Sequence, residues 1–153
     1  MCIRDSSAHF AKLASWTESA DPGLRYFSGT GSYRKTIDVG RADTRVILDL
    51  GEVHELAEVF VNGKSAGIAW KPPYRVDVTH LLKPGRNELR IDVANVWANR
   101  FIGDRQPDAG EPVAYSTFEL WAPHLVKLPY SKDTPLLPSG LIGPVQLLSE
   151  TRQ

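Results

Sequence analysis

Seven carboxylates stand where hydrolytic chemistry can be sought: Glu58, Asp77, Asp92, Asp104, Asp108, Glu111 and Glu119. Cleaving a glycosidic bond takes two carboxyl groups in one pocket, roughly 5 Å apart for retention or about 6.5–9.5 Å for inversion. Most of these residues have a plainer reading. Glu58 and Asp92 fall in runs of alternating polarity that turn them to an outer face. Asp77 precedes a turn capped by Thr79 and is placed to bond backbone amides there. Asp104 and Asp108 stay open, in a stretch without regular pattern. His9, His54, His80 and His124 lack the spacing of a metal site or a nucleophile elbow. The expectation is no catalytic residue, no metal and no cofactor.

Gripping a sugar asks for different groups. A pyranose offers an apolar face and a rim of hydroxyls, so its sites pair an aromatic plate with amide, guanidinium or carboxylate partners. Trp70 and Tyr74 bracket the Lys71-Pro72-Pro73 elbow, whose prolines hold the backbone extended. Asn99, Arg100 and Asp104 follow Trp97 and can supply the hydrogen bonds. These five, Trp70, Tyr74, Asn99, Arg100 and Asp104, form the candidate sugar site. The structural alternative is set beside it: Trp97 on the inner face of a strand as core, and Arg100 pinning a loop by pairing with Asp104. Trp70 and Tyr74 are read equally as plate or as cover for a sheet edge.

The elements that must carry these residues are strands. "SYRKTIDV" (32–39) alternates, with Tyr33, Ile37 and Val39 on one face; "TRVILDLG" (44–51) turns Val46, Leu48 and Leu50 inward against Arg45, Ile47 and Asp49. "AEVFVNGKSAGIAW" makes two strands about Asn62-Gly63, the pair that best tolerates the positive φ of a type I′ turn. A short strand and one helical turn follow in "YRVDVTHLLKPG". "RNELRIDVANVWAN" (86–99) reads as the longest strand, with Leu89, Ile91 and Val93 sharing a face that extends towards Asn95 and Trp97. Regularity then fades from 98 to 135, where prolines recur; "VAYSTFELW" (113–121) fits a strand or a short helix. "GPVQLLSE" (143–150) closes the chain with a strand.

At 153 residues there is room for one well-cored domain, expected at 23–150, with 1–22 as a leader or the remnant of an upstream linker. Many short strands, frequent turn signals and no long helix give an all-β fold, a jelly-roll β-sandwich. Eighteen basic residues balance eighteen acidic ones, so no net field favours nucleic acid or an anionic membrane. No apolar run is long enough for a membrane-spanning helix. The single cysteine, Cys2, excludes an internal disulfide and leaves the compartment open.

The pieces "GTGSYRKTIDV", "LDLGEVHELAEVFVNGKSAGIAW", "PPYRVDVTHLLKPGRNELRIDVAN" and "GLIGPVQLL" stand in an order that resembles the sugar-binding jelly-roll domain of glycoside hydrolase family 2 enzymes. The run "VANVWANRFIGDRQ" is similar to the C-terminal β-sandwich of family 106 α-L-rhamnosidases. Together the resemblance covers roughly 24–150. It implies a galactose-binding-like accessory domain, with hydrolysis belonging to a separate catalytic barrel that is its partner. It implies too that the chain is the tail of such an enzyme, with the catalytic domain missing. Carbohydrate is the implied ligand, bound weakly; the alternative is a purely structural sandwich packed on the barrel.

Overall fold

A computed structural model describes residues 11–40, 44–114 and 129–150. A 3-10 turn at Trp16–Glu18 and a short helix α1 (Pro22–Arg25) precede the strands β1 (Thr30–Val39), β2 (Arg45–Asp49), β3 (Glu52–His54), β4 (Leu56–Val61), β5 (Lys64–Ala69), β6 (Arg75–Asp77) and β7 (Gly85–Ala94). Helix α2 (Ala98–Gly103) follows, and β8 (Gly140–Gly143) and β9 (Gln146–Glu150) complete the order.

One layer is a four-stranded antiparallel sheet in the order β1-β7-β4-β5. The other is built from β6-β2-β9 and from the pair β3-β8. Those two pieces run on from each other, because β2 leads into β3 and β8 into β9 across two-residue breaks. Gly51 and Gly143 sit at the breaks with φ of 65° and 79°, and a Cβ on Gly51 would overlap the Gly143 backbone. Glycine is required there because two bending strands pass in contact. The fold is the expected all-β jelly-roll sandwich.

The core fills the space between layers. β7 contributes Leu89, Ile91 and Val93, β4 contributes Ala57, Val59 and Val61, and β2 contributes Val46 and Leu48 with Leu50 just beyond it, all buried. Alternation with period two is what gathers them on one face. Burying each of the larger aliphatics contributes about 1.5–3 kcal/mol. Ile47, expected outward, is buried as well: it lies on the central strand of its sheet, flanked by Asp77 and Leu148. The Asn62-Gly63 turn forms as expected, with φ of 51° and 80°.

One strand boundary is corrected. β7 ends at Ala94, not beyond Trp97. Asn95 spends its amide on the β1 side, accepting from Gly29 N and donating to Phe27 O, and the chain leaves the sheet there. The described part of 1–22, expected as a leader or linker remnant, packs on the sandwich. Trp16 is 2% exposed and belongs to the core. Its amide donates to Ser139 O, while the neighbouring Ser15 Oγ accepts from Ser139 N. Gly31 and Gly140 make room for the indole: a Cβ on either would lie 2.7 or 2.5 Å from its atoms.

Candidate carbohydrate-contact site

The residues expected to meet sugar occupy two places. Trp70 and Tyr74 flank the elbow that carries the chain from β5, an edge strand of one sheet, to β6, an edge strand of the other. Trp70 is 65% exposed. Lys71 Nζ stands 5.0 Å from the ring centroid, a cation–π contact that holds one face of the indole. Tyr74 is half-buried and packs on the core, and its carbonyl accepts from Leu50 N. Arg75 then binds Asp49 at 2.7 Å. The elbow is thus tied to β2, and Trp70 faces solvent with Lys71, Pro72 and Pro73.

Asn99, Arg100 and Asp104 belong to α2 and its C-terminal cap, and each is used within the chain. Asn99 is buried; its Nδ2 donates to Leu137 O at 2.7 Å and its Oδ1 accepts from Leu137 N at 2.9 Å. Arg100 pairs with Asp104 one turn on. Asp104 Oδ2 accepts from Val113 N and Ala114 N, with its side chain 3% exposed. A buried carboxylate with this many donors is an organiser of loops, since leaving any of its partners unmade costs desolvation. Phe101 stacks on Tyr130, and Gln106 reaches the Lys132 carbonyl. Helix α2 is therefore a hub that gathers the segments on either side of 115–128, the stretch that includes Glu119, His124 and most of "VAYSTFELW" and lies outside the described residues.

Trp97, read as core, is 57% exposed at the head of α2. It shares one end of the four-stranded sheet with Trp70. Leu56 pairs with Ala94 and Ala57 with both Val93 and Ala69, so Trp70 and the Val96-Trp97 step leave the sheet at the same level. Leu56, Val96 and Ile68 are exposed there too.

The carboxylates also find partners. Asp77 takes the Thr79 hydroxyl and amide and Arg45. These contacts, the hydroxyl first, hold it well below the usual carboxylate range. Thr79 Oγ1 meanwhile accepts from Val46 N, so it stitches β2 to the turn where a helix cap was expected. Asp49 is lowered first by the Gly51 amide and then by Arg75. Glu58 and Asp92 are direct cross-strand partners on the outer face. Each accepts from a serine, Glu58 from Ser65 at 2.9 Å and Asp92 from Ser32 at 2.7 Å, and Arg90 lies 3.4 Å from Asp92. Adjacent like charges are relieved there by hydroxyls and a guanidinium.

One spacing escaped the sequence reading. Gly63-Lys64-Ser65-Ala66-Gly67 matches Gly-x-Ser-x-Gly letter for letter. It lies on β5 of a hairpin, and Ser65 Oγ donates to Glu58. A nucleophile elbow needs a strand-to-helix turn and a histidine base; this serine has an edge strand and a carboxylate. His54 binds Glu52, and His9 lies outside the described residues. Among the described residues no group of three His, Cys, Asp or Glu can hold a metal ion. None of their helices is long and apolar enough to cross a membrane.

A two-layer sandwich of this topology, its turn at Asn62-Gly63 and its aromatic sheet end, defines a galactose-binding-like module. Residues 26–117 match the family described as glycosyl hydrolase 2 galactose-binding domain-like, and the chain belongs to it. A protein of Formosa agariphila, provisionally named a beta-glucuronidase, is 37% identical over 93% of this chain and 14% of its own length. A rhamnosidase structure from Novosphingobium sp. PP1Y is 42% identical with a TM-score of 0.79, covering 90% of this chain and 12% of that one. A beta-glucuronidase from an uncultured Clostridium sp. is 26% identical with a TM-score of 0.53, covering 63% and 18%. The chain thus spans about one-seventh or less of the first two proteins.

Proposed function

We propose that the chain is a non-catalytic accessory domain of a larger glycoside hydrolase of the rhamnosidase, β-glucuronidase or β-galactosidase type. The observation that carries this reading is the use of its carboxylates. Asp49, Asp77 and Asp104 are bound to backbone amides and arginines, and Glu58 and Asp92 to serines on an open face. A general acid needs a raised pKa in a dry pocket; the shifts of Asp49 and Asp77 run the other way. The purified chain, offered aryl α-L-rhamnosides, β-D-glucuronides and β-D-galactosides, tests the reading by its lack of turnover.

The Trp70 end of the sheet has two uses within this reading. An exposed indole beside an ordered elbow can stack on a sugar, and that is the carbohydrate contact the family suggests. The polar groups expected to complete the site are committed to Leu137, Val113 and Ala114, so Trp70 acts there as a plate with few hydrogen-bonding partners. Exposed Leu56, Val96 and Trp97 beside it favour the second use, an apolar seat for the catalytic barrel of the parent enzyme. Titration of the chain with rhamnose, galactose and glucuronic acid separates them: shifts centred on Trp70 support sugar contact, and their absence supports the seat.

A further inference from the structure

The opposite end of the four-stranded sheet holds a cavity of about 570 Å³. Arg34, Lys35, Lys83 and Arg86 line it with Thr36 and Glu88. The chain as a whole is neutral, so this concentration of cations is local. Arg45, Arg75, Arg90 and Arg100 all have carboxylate partners. Among the described residues the four cations of the cavity have none, and Asp38, which faces Arg86 across the strands, makes no ion pair with it. Four cations against the one carboxylate of Glu88 leave the concavity net positive, which raises the local concentration of anions.

The walls are held in place. Asn87 is fully buried; its Oδ1 accepts from Lys83 N and its Nδ2 donates to the carbonyls of Lys83 and Gly85. Asn62 donates to the same Asn87 Oδ1 and accepts from Glu88 N. These two amides fix the backbone that presents Lys83 and Glu88 before any ligand arrives. Thr36 sits opposite Glu88, with Arg34 and Arg86 two register steps to either side of that row. Arg34 and Arg86 are therefore spaced by ~13 Å along the strands.

We propose that this cavity binds an anionic oligosaccharide, one whose sugars carry carboxylate or sulfate groups. The guanidiniums of Arg34 and Arg86 suit either oxyanion as planar forks. Glu88 and Thr36 between them can accept and donate hydrogen bonds to sugar hydroxyls. The spacing of the two arginines calls for charges on more than one sugar, so an oligomer binds better than a single uronic acid. A nucleic acid fits less well: the lining holds no aromatic side chain for bases to stack on, and Glu88 opposes a continuous row of phosphates. The choice of a carbohydrate rests on the accessory-domain reading; the site is separate from Trp70.

The test titrates the intact chain, by calorimetry and amide NMR, with four probes: tetragalacturonic acid, an oligosaccharide of sulfated galactan, uncharged maltotetraose and a single-stranded DNA decamer. Binding of tetragalacturonic acid assigns the site to carboxylates, and binding of the sulfated probe to sulfates; either is the expected result, with shifts centred on residues 34–36 and 83–88. Affinity should fall with added salt. Arg34→Ala combined with Arg86→Ala should weaken it about tenfold or more, with an unchanged melting temperature showing that the variant folds. Lys132→Ala, which removes a surface cation outside the cavity, should leave it unaltered. Equal affinity for maltotetraose, equal or tighter binding of DNA, or no binding of either charged sugar would overturn the proposal. None of these outcomes bears on the turnover assay that tests the accessory reading.

Discussion

The indole Nε1 of Trp16 donates a 2.5 Å hydrogen bond to the hydroxyl of Tyr33, joining the segment before the first strand to the middle of β1. The same hydroxyl accepts from Leu141 N, so one oxygen ties three parts of the chain. Burial raises the Tyr33 phenol above its usual range. Trp16→Ala should cost about 3–5 kcal/mol, as truncation of a buried aromatic does. Removal of residues 1–7 should leave the denaturation midpoint unchanged. Chemical denaturation of both variants checks the contrast; equal midpoints would mean that Trp16 adds nothing to the core.

Two glycines with positive φ should respond differently. Gly63, at φ 80°, has open space where a side chain would begin, so Gly63→Val meets backbone strain alone, about 1–3 kcal/mol. Gly140, at φ 92°, would set its Cβ 2.5 Å from the Trp16 indole and 2.8 Å from the Tyr33 hydroxyl. Gly140→Ala should therefore cost about 3 kcal/mol or more, strain and overpacking together. Urea melts rank the two; a milder Gly140→Ala would show that the indole is not seated there.

Trp70 and Asn99 were expected together in one sugar site, and their surroundings predict opposite phenotypes. Trp70→Ala should change stability by no more than about 0.5 kcal/mol, as exposed positions do. It should remove any weak stacking of a neutral sugar on the indole, which at about millimolar Kd is ~4 kcal/mol. Asn99→Ala strands the amide and carbonyl of Leu137 and should cost about 1–3 kcal/mol. Thermal melts and sugar titrations of both variants separate the roles. A stable Asn99→Ala that loses sugar binding would return Asn99 to the site.

Acid stability follows from Asp49 and Asp77. Both carboxyls are depressed in the folded chain, so their contribution is complete above the ordinary aspartate range, near pH ~4, and is lost as pH falls further towards the folded values. Asp49→Asn with Asp77→Asn should melt lower at neutral pH and converge with the parent as the solution is acidified below about pH 4. Parallel curves across that range would mean that neither carboxylate is linked to folding.

The sandwich was legible because its signals are local. Alternation placed Val46, Leu48, Leu89 and Ile91, and the Asn62-Gly63 pair placed the turn. What stayed hidden depends on groups distant in sequence. Trp16 sits among small and polar residues, and its burial is decided by Ser139 and Gly140; the readable hint was Gly31, a glycine inside a strand where another group approaches. Trp97 followed the alternation on paper, but Asn95 leaves the sheet to bond Phe27 and Gly29, and no period can report that. The basic cavity was invisible for the same reason: Arg34, Lys35, Lys83 and Arg86 come from two stretches that only strand pairing unites, in a chain whose total charge is zero.

The most direct test of a non-catalytic role is a sensitive hydrolysis assay on the purified chain. 4-Nitrophenyl α-L-rhamnoside, β-D-glucuronide and β-D-galactoside are incubated with the chain, with Glu58→Gln and with Asp92→Asn. Release of nitrophenol at the rate of buffer alone, the same for all three proteins, is the predicted result. Turnover by the parent chain that disappears in either variant would show that the cross-strand carboxylates of Glu58 and Asp92 catalyse, and would contradict the accessory role.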